Sequence, residues 1–294
     1  SSPGHTLDSS GGKGLNLALL TMAGFHVPGG FVLTSAAYQR FVEVNHLLPL
    51  IQGGLAILAD GPESLEETSK RIREVFSEGF IPEDIKSGIL AAYRLLGKGA
   101  VAVRSSATTE DLPELSFAGQ QDTYLNITNE DDLLKRVVDC WSSLWTARAI
   151  GYRMRRGIDP DTVSLAVVVQ QLILAEAAGI LFTANPLNGR REQLVINAAW
   201  GLGEAIVGGL VTPDTYTVAK TTGRLLNCEV ADKQVMTIRT EQGTEEHPVA
   251  AAQRQAQVLN ATQIAELARL AREIEALYGA PQDIEWCWAE GRGF

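Results

Sequence analysis

Cysteine is scarce in this chain: Cys140, Cys228 and Cys287 are odd in number, far apart and without metal-ligand spacing. That set argues against a disulfide framework and points to a reducing, cytoplasmic compartment. Long hydrophobic runs are missing too. No apolar stretch reaches the ~20 residues that a bilayer span needs, and no charged-then-apolar segment opens the chain, so nothing supports membrane insertion or secretion. Positive charge is the minority sign, with 25 Lys and Arg against 35 Asp and Glu for a net charge of −10. This argues against a broad nucleic-acid or anionic-membrane surface. Walker A spacing, GxxxxGK[ST], is absent, as are internal repeats and low-complexity tracts. What is present is length: 294 residues suffice for a large core in one large or two medium domains.

Three polar segments stand out against this background. The first, Val101 to Ile127, reads VAVRSSATTEDLPELSFAGQQDTYLNI. An apolar strand, Ala100 to Val103, delivers Arg104 into a Ser/Thr-rich turn, and a glycine-containing turn, Phe117 to Gln121, runs into a second strand-like piece. A fixed guanidinium, several hydroxyl donors and a glycine where backbone must approach a ligand form the layout of a phosphate site. The alternative is a hairpin with a surface turn. The second segment, Gly11-Gly12-Lys13-Gly14, opens onto Leu15-Asn16-Leu17-Ala18-Leu19-Leu20. Glycine-rich backbone at a helix start presents N–H groups and the positive end of the helix dipole, and Lys13 adds a point charge for an anion such as phosphate. An ordinary loop is the other reading. The third, Pro281 to Trp288, alternates so that Asp283, Glu285 and Cys287 share one strand face and Ile284, Trp286 and Trp288 the other. Two carboxylates two residues apart repel unless a cation lies between them, and hard oxygen donors suit Mg²⁺. Otherwise the face is a solvated acidic one.

Between these segments the chain reads as mixed α and β. Leu15 to Ala23 is expected as a helix, Gly29 to Thr34 as a strand, and Ser35 to Asn45 as a helix capped by Thr34 or Ser35. Glu63 to Phe76 and Pro82 to Leu96 read as amphipathic helices. Asp131 to Arg155 reads as one long helical stretch whose apolar stripe includes Trp141 and Trp145, both assigned to core packing. Leu165 to Val169 is a buried strand ending in Gln170 and Gln171, and Gly179 to Thr183 is expected to pair with it across a short connection. Leu194 to Ala198 is a further strand before Gly201-Leu202-Gly203-Glu204, where Glu204 either faces a ligand or stabilises a helix N-terminus. Thr222 to Glu245 reads as a polar hairpin excursion and Ala261 to Tyr278 as an amphipathic helix. The opening SSPGHTLDSSGG is flexible in composition.

Together these segments resemble the nucleotide-binding domain of the phosphoenolpyruvate synthase and pyruvate phosphate dikinase family, and within it the phosphoenolpyruvate synthases and rifamycin phosphotransferases. The likeness runs from about Gly11 to Phe294 through GGKGLNL, GFHVPGGFVLT, RSSATTEDLPELSFAGQQDTYLNI, CWSSLWTARAIGYR, AGILFTANP, AAWGLGEAIVGG and PQDIEW. It implies an α+β fold of ATP-grasp type, in which two subdomains enclose ATP between sheets. The N-terminal subdomain, 1–185, would carry the phosphate-binding loops and the C-terminal one, 186–294, the metal-binding carboxylates. The implied ligands are ATP and Mg²⁺. Lys13 and Arg104 would bind triphosphate oxygens and serve catalysis, while Gly119 and Thr123 would belong to the loop that closes over the phosphates. Gln170 and its neighbours would receive adenine, Glu204 would contribute to nucleotide binding, and Glu285 with Asp283 would hold Mg²⁺.

The family also places a Gln-x-Arg pair, in a segment like VQSRP, about a dozen residues beyond the acidic strand and so past Phe294. Its phosphoryl carrier is a histidine on a separate, swivelling domain, and His5, His26, His46 and His247 lie in none of that motif's surroundings; His26 reads as structural. The resemblance therefore implies one ATP-binding domain of a longer cytoplasmic dikinase, inactive by itself. Its partners would be a phosphohistidine domain and an acceptor-binding domain of the same polypeptide, with no nucleic acid and no membrane. The implied reaction splits ATP to AMP and phosphate and phosphorylates an acceptor, with pyruvate as the first expectation and a rifamycin-type antibiotic as the alternative. A nucleotide-sensing module without turnover is the reading from another class.

Overall fold

The computed structural model describes residues 6–59, 61, 64–107, 122–240 and 243–294. The chain divides into two compact units, Ser1–Leu172 and Ile173–Phe294. The first runs α1 (Leu7–Met22), β1 (Gly30–Leu33), α2 (Ser35–Val44), α3 (Leu47–Ala59), α4 (Leu65–Glu78), α5 (Glu83–Leu95), β2 (Val101–Ala107), β3 (Thr123–Ile127), α6 (Glu130–Ser142), α7 (Ala147–Arg156) and β4 (Leu165–Gln171). Its strands form one antiparallel sheet in the order β1-β4-β2-β3. The β4 sequence, LAVVVQQ, is a near-continuous apolar run, and such runs suit a strand covered on both faces. One sheet face presents Leu33, Val101, Val103, Val167 and Val169 to Tyr38, Phe41, Ile72, Phe76, Val137 and Trp141 from the helices. The Phe41 ring lies 5.8 Å from Phe76 and 4.9 Å from Trp141, contacts that add about 0.5–1.5 kcal/mol each beyond burial. On the opposite face α1 packs with Gly14 against Val32.

Local chemistry sets the helix boundaries. Ser64 and Glu67 form a reciprocal capping box at α4, and Asn129 caps α6 ahead of Glu130, Asp131 and Asp132, where the helix dipole favours acids. The first helix begins earlier than its sequence suggests. Thr6 and Ser9 box its start, the chain breaks from helical geometry at Gly11 (φ 65°) and the helix then resumes, so part of the opening expected to be flexible is a helical turn. The stretch from Asp131 to Arg155 is two helices and not one. Between α6 and α7 lies a 3-10 turn, Ser143–Trp145, and Thr146 caps α7 by accepting from the Ala149 N–H. Arg153 folds back over the Trp145 ring, 4.8 Å from its centroid, and donates to the Leu144 carbonyl. Burial pushes its guanidinium down to about 10. Both tryptophans are in the core, as their apolar stripe predicts.

The second unit contains β5 (Ala177–Phe182), β6 (Gln193–Trp200), α8 (Glu204–Val207), β7 (Asp214–Ala219), β8 (Leu225–Glu229), β9 (Val235–Thr240), β10 (Gly243–Pro248), α9 (Ala251–Arg254), α10 (Ala261–Tyr278) and β11 (Asp283–Trp288). Five strands form an antiparallel sheet in the order β11-β5-β6-β7-β8, and β9 pairs with β10 separately. The segment 222–245 is thus shared between a sheet edge and a hairpin. The expected pairing of 179–183 with 165–169 does not form. Both edges of β4 are already taken by β1 and β2, and β5 instead lies between β6 and β11. The division between the units accordingly falls before β5 and not near Pro186.

One face of this second sheet, with Leu181, Leu194, Ile196, Tyr216 and Val218, is covered by Ile264, Leu267, Ala268 and Ala271 of α10. Asp214 and Lys233, each 0 % exposed, form an ion pair within the unit. Asp214 also accepts from the Ala231 and Val258 N–H groups and the Tyr216 hydroxyl, while Lys233 donates to the Ala231 carbonyl. A buried pair holds only when its remaining hydrogen-bonding capacity is filled in this way. The whole is a mixed α+β arrangement, and among the described residues no helix is long and apolar enough to cross a membrane.

Candidate functional site

In the first unit the polar segments converge on the sheet face under α1. Gly11 takes the left-handed conformation, and a side chain there would overlap the backbone and hydroxyl of Ser106. Ser106, fully buried, stitches the turn to β2: its Oγ donates to the Ser10 carbonyl at 2.8 Å and accepts from the Gly14 N–H at 3.1 Å. Lys13 is thereby held one residue from a contact with β2, and that contact is two residues from Arg104. Alternation along β2 puts Ala102, Arg104 and Ser106 on this face, while Val101, Val103 and Ala107 enter the core. Thr123 of β3 is the direct cross-strand partner of Arg104. Gln170 is the partner of Ala102 on one side and Gly30 on the other, so it shares the face; it is 8 % exposed and its Nε2 donates to the Pro28 carbonyl at 3.2 Å. Three residues singled out in the sequence, Arg104, Thr123 and Gln170, therefore point to one side of one sheet, and the α1 turn that carries Lys13 is tied to the same side through Gly14 and Ser106. Gly119 lies outside the described residues.

The second unit carries the acidic candidates. Asp283 and Glu285 project from the same face of β11, an edge strand, and both are exposed. Partial desolvation against the strand, and then the charge of Glu285, raise the Asp283 carboxyl above the ordinary aspartate range. A carboxylate held with a like-charged neighbour is relieved by a cation. Among the described residues no group of three or more His, Cys, Asp or Glu side chains is placed to hold a metal. Two carboxylates fit Mg²⁺ nonetheless, because that ion keeps waters and takes substrate phosphates alongside one or two protein ligands. Cys287 shares the face, and burial raises its thiol. Glu204 stands in the first turn of α8 and its Oε2 accepts from the Thr244 hydroxyl at 3.0 Å, which ties that turn to β10.

Over residues 7–293 the chain matches the family described as pyruvate phosphate dikinase, AMP/ATP-binding domain. It belongs to that family. Among its relatives, a probable phosphoenolpyruvate synthase of Methanothermobacter thermautotrophicus is 45% identical over 289 residues, covering 96% of this chain and 42% of the relative. That of Methanocaldococcus jannaschii is 44% identical over 294 residues, covering 97% and 25%. A rifampicin phosphotransferase of Bacillus subtilis is likewise 44% identical, over 283 residues, covering 95% and 32%. The chain thus spans between a quarter and about two-fifths of the length of these relatives.

Arg104 lies on the sheet face to which the turn carrying Lys13 is tied. A lysine point charge and a forked guanidinium are complementary phosphate binders. The sequence places Ser106 in a Ser/Thr-rich turn among the hydroxyl donors of a phosphate site, whereas it lies within β2 and its hydroxyl is taken up by Ser10 and Gly14. Its signal was available only in part: a second serine after Arg104 must lie on the arginine side of the strand, but its partners Ser10 and Gly14 are more than ninety residues upstream.

Proposed function

We propose that this chain is the ATP-binding domain of a dikinase with an ATP-grasp fold. It would take part in splitting ATP to AMP and phosphate while a phosphoryl group passes through a carrier histidine to an acceptor. The observation that carries the reading is the gathering of Arg104, Thr123 and Gln170 on one sheet face, with the Lys13 turn stitched to the same strand, in an AMP/ATP-binding family member. Lys13 and Arg104 would neutralise the triphosphate, and Thr123 would donate its hydroxyl to a phosphate oxygen. Gln170 Oε1 would accept from the adenine amino group while its Nε2 stays on Pro28. Asp283 and Glu285 would hold Mg²⁺, which supplies charge neutralisation when bound. Phosphoryl transfer depends on such positioning and neutralisation more than on covalent chemistry from the protein.

As acceptor we propose pyruvate, giving phosphoenolpyruvate, as the names of the archaeal relatives suggest. A second reading, an antibiotic acceptor, is favoured by the rifampicin phosphotransferase at equal identity. The test is phosphorus NMR of the full-length protein with Mg·ATP and either pyruvate or rifampicin. Pyruvate-dependent formation of AMP, phosphate and phosphoenolpyruvate supports the first reading. AMP formed only with rifampicin replaces it with the second, and no AMP with either acceptor removes both.

A further inference from the structure

We infer that Asn126 is a positioning residue for the nucleotide face: its left-handed backbone closes a bulge in β3 that brings Thr123 beside Arg104. The register carries this. Val101 pairs with Ile127 and Val103 pairs with Tyr124, so two steps along β2 correspond to three along β3. Residues three apart on a regular strand point to opposite faces, yet Tyr124 and Ile127 both stand opposite core residues. Val101 and Val103 are fully buried, and Ile127 is 4 % exposed. One extra residue reconciles the two, as a β-bulge does.

The conformational cost falls on Asn126. Among the described residues three non-glycines have positive φ, namely His46, Lys98 and Asn126. His46 and Lys98 follow helices, whereas Asn126, with φ 59° and 7 % exposure, lies inside a strand. Asparagine is among the few side chains that tolerate this region, and a β-branched residue there is an outlier. The N-terminal side of the bulge is clamped. The Tyr124 hydroxyl donates to Asp122 Oδ2 at 3.1 Å, the Arg136 guanidinium lies 4.9 Å from the Tyr124 ring centroid, and the Asp122 carbonyl accepts from the Ser105 N–H at 3.1 Å.

What the bulge accomplishes follows from counting without it. If Ile127 kept its place opposite Val101 and the strand ran regularly, Leu125 would face Val103, Tyr124 would face Arg104 and Thr123 would face Ser105. Thr123 would then point to the core side and Tyr124 to the phosphate side. The bulge is therefore what puts a hydroxyl, and not a phenol ring, next to Arg104.

The inference rests on Thr123 serving the nucleotide, and the experiment separates the two claims. Mg·ATP dissociation constants of the full-length protein are measured by calorimetry for wild type, Asn126→Gly, Asn126→Val, Thr123→Val and the double variant Asn126→Val/Thr123→Val, with thermal unfolding in parallel. Glycine adopts positive φ freely, so Asn126→Gly should bind within about 3-fold of wild type. Valine should shift part of the population to the regular register and weaken binding about tenfold, since apparent affinity falls with the competent fraction. In the Thr123→Val background the same change should cost less than it does in wild type, because the hydroxyl it displaces is already gone and only the misplaced Tyr124 ring remains to weaken binding. Asn126→Ala, a milder strain, takes valine's place in the comparison should Asn126→Val not fold. The inference is overturned if Asn126→Val, or the alanine variant in its place, binds like wild type. It is also overturned if its penalty persists undiminished without the Thr123 hydroxyl, or if Asn126→Gly is as impaired as valine. Failure of wild type to bind Mg·ATP would instead remove the nucleotide reading.

Discussion

Replacing Ser106 by alanine tests whether the glycine turn is held against β2 in the way the geometry requires. The hydroxyl serves two buried backbone groups at once, the Gly14 N–H at 3.1 Å and the Ser10 carbonyl at 2.8 Å. Alanine fills almost the same space but leaves both without this partner, at about 1–3 kcal/mol for each buried group. Some relaxation of the turn recovers part of that, so a loss of roughly 2–4 kcal/mol in the first unit is expected. For a unit of this size that corresponds to a fall of roughly 4–16 °C in its unfolding midpoint. Because Lys13 lies inside the stitched turn, Mg·ATP affinity should fall as well, about tenfold, by calorimetry on the full-length protein at fixed ionic strength. Ser106→Cys, whose thiol is a weak donor and acceptor, should lie between the two. Wild-type affinity and an unchanged midpoint in Ser106→Ala would refute the reasoning, since neither hydrogen bond could then matter in solution.

Other outcomes follow from the same geometry. Lys13→Ala and Arg104→Ala should each weaken Mg·ATP binding or turnover tenfold to a hundredfold, given about 1.5–3 kcal/mol for a charge-assisted contact, and Arg104→Lys should be impaired because an ammonium cannot reproduce the fork. Asp283 has a raised carboxyl pKa, so the metal-free folded state holds more protons than the unfolded one between the ordinary and the raised value. Stability of the metal-free protein should therefore decline as pH rises through that interval. Asp283→Asn should remove this decline in urea titrations while weakening Mg²⁺-dependent nucleotide binding. Lys233→Met strands the Asp214 carboxylate in a fully buried place and should cost about 3–5 kcal/mol in denaturant unfolding, whereas Asp214→Asn/Lys233→Met should cost less than the sum of the single changes.

Three polar segments stood out in the sequence because their signals are local. A strand that carries Arg104, a Gly-Gly-Lys-Gly run beside an apolar helical stretch, and an alternating Asp283-x-Glu285 strand each declare themselves within a few residues, although the strand expected to give way to a turn at Arg104 runs on to Ala107 and the glycine run lies inside α1. The alternation of β11 predicted its faces correctly because period two survives in any sheet. Pairing partners were not legible. Residues 165–169 and 179–183 both read as buried strands a short distance apart, and nothing local reveals that β4 has no free edge. The helix break at Ser143 was hidden for a related reason: the apolar stripe continues through it, across a 3-10 turn after which Thr146 caps the next helix and Arg153 donates back to Leu144. The buried Asp214–Lys233 pair joins residues nineteen apart, so composition shows two ordinary charges. Asn126 was invisible as well, since a bulge is a relation between two strands and an asparagine in a strand pattern reads only as a weak position.

The most direct test of the nucleotide reading is a crystal structure of the full-length protein with Mg²⁺ and a non-hydrolysable ATP analogue. The expected result places triphosphate oxygens within hydrogen-bonding distance of Lys13 Nζ and the Arg104 guanidinium, with the metal on Glu285. A nucleotide bound away from the sheet face that carries Arg104, Thr123 and Gln170 would contradict it.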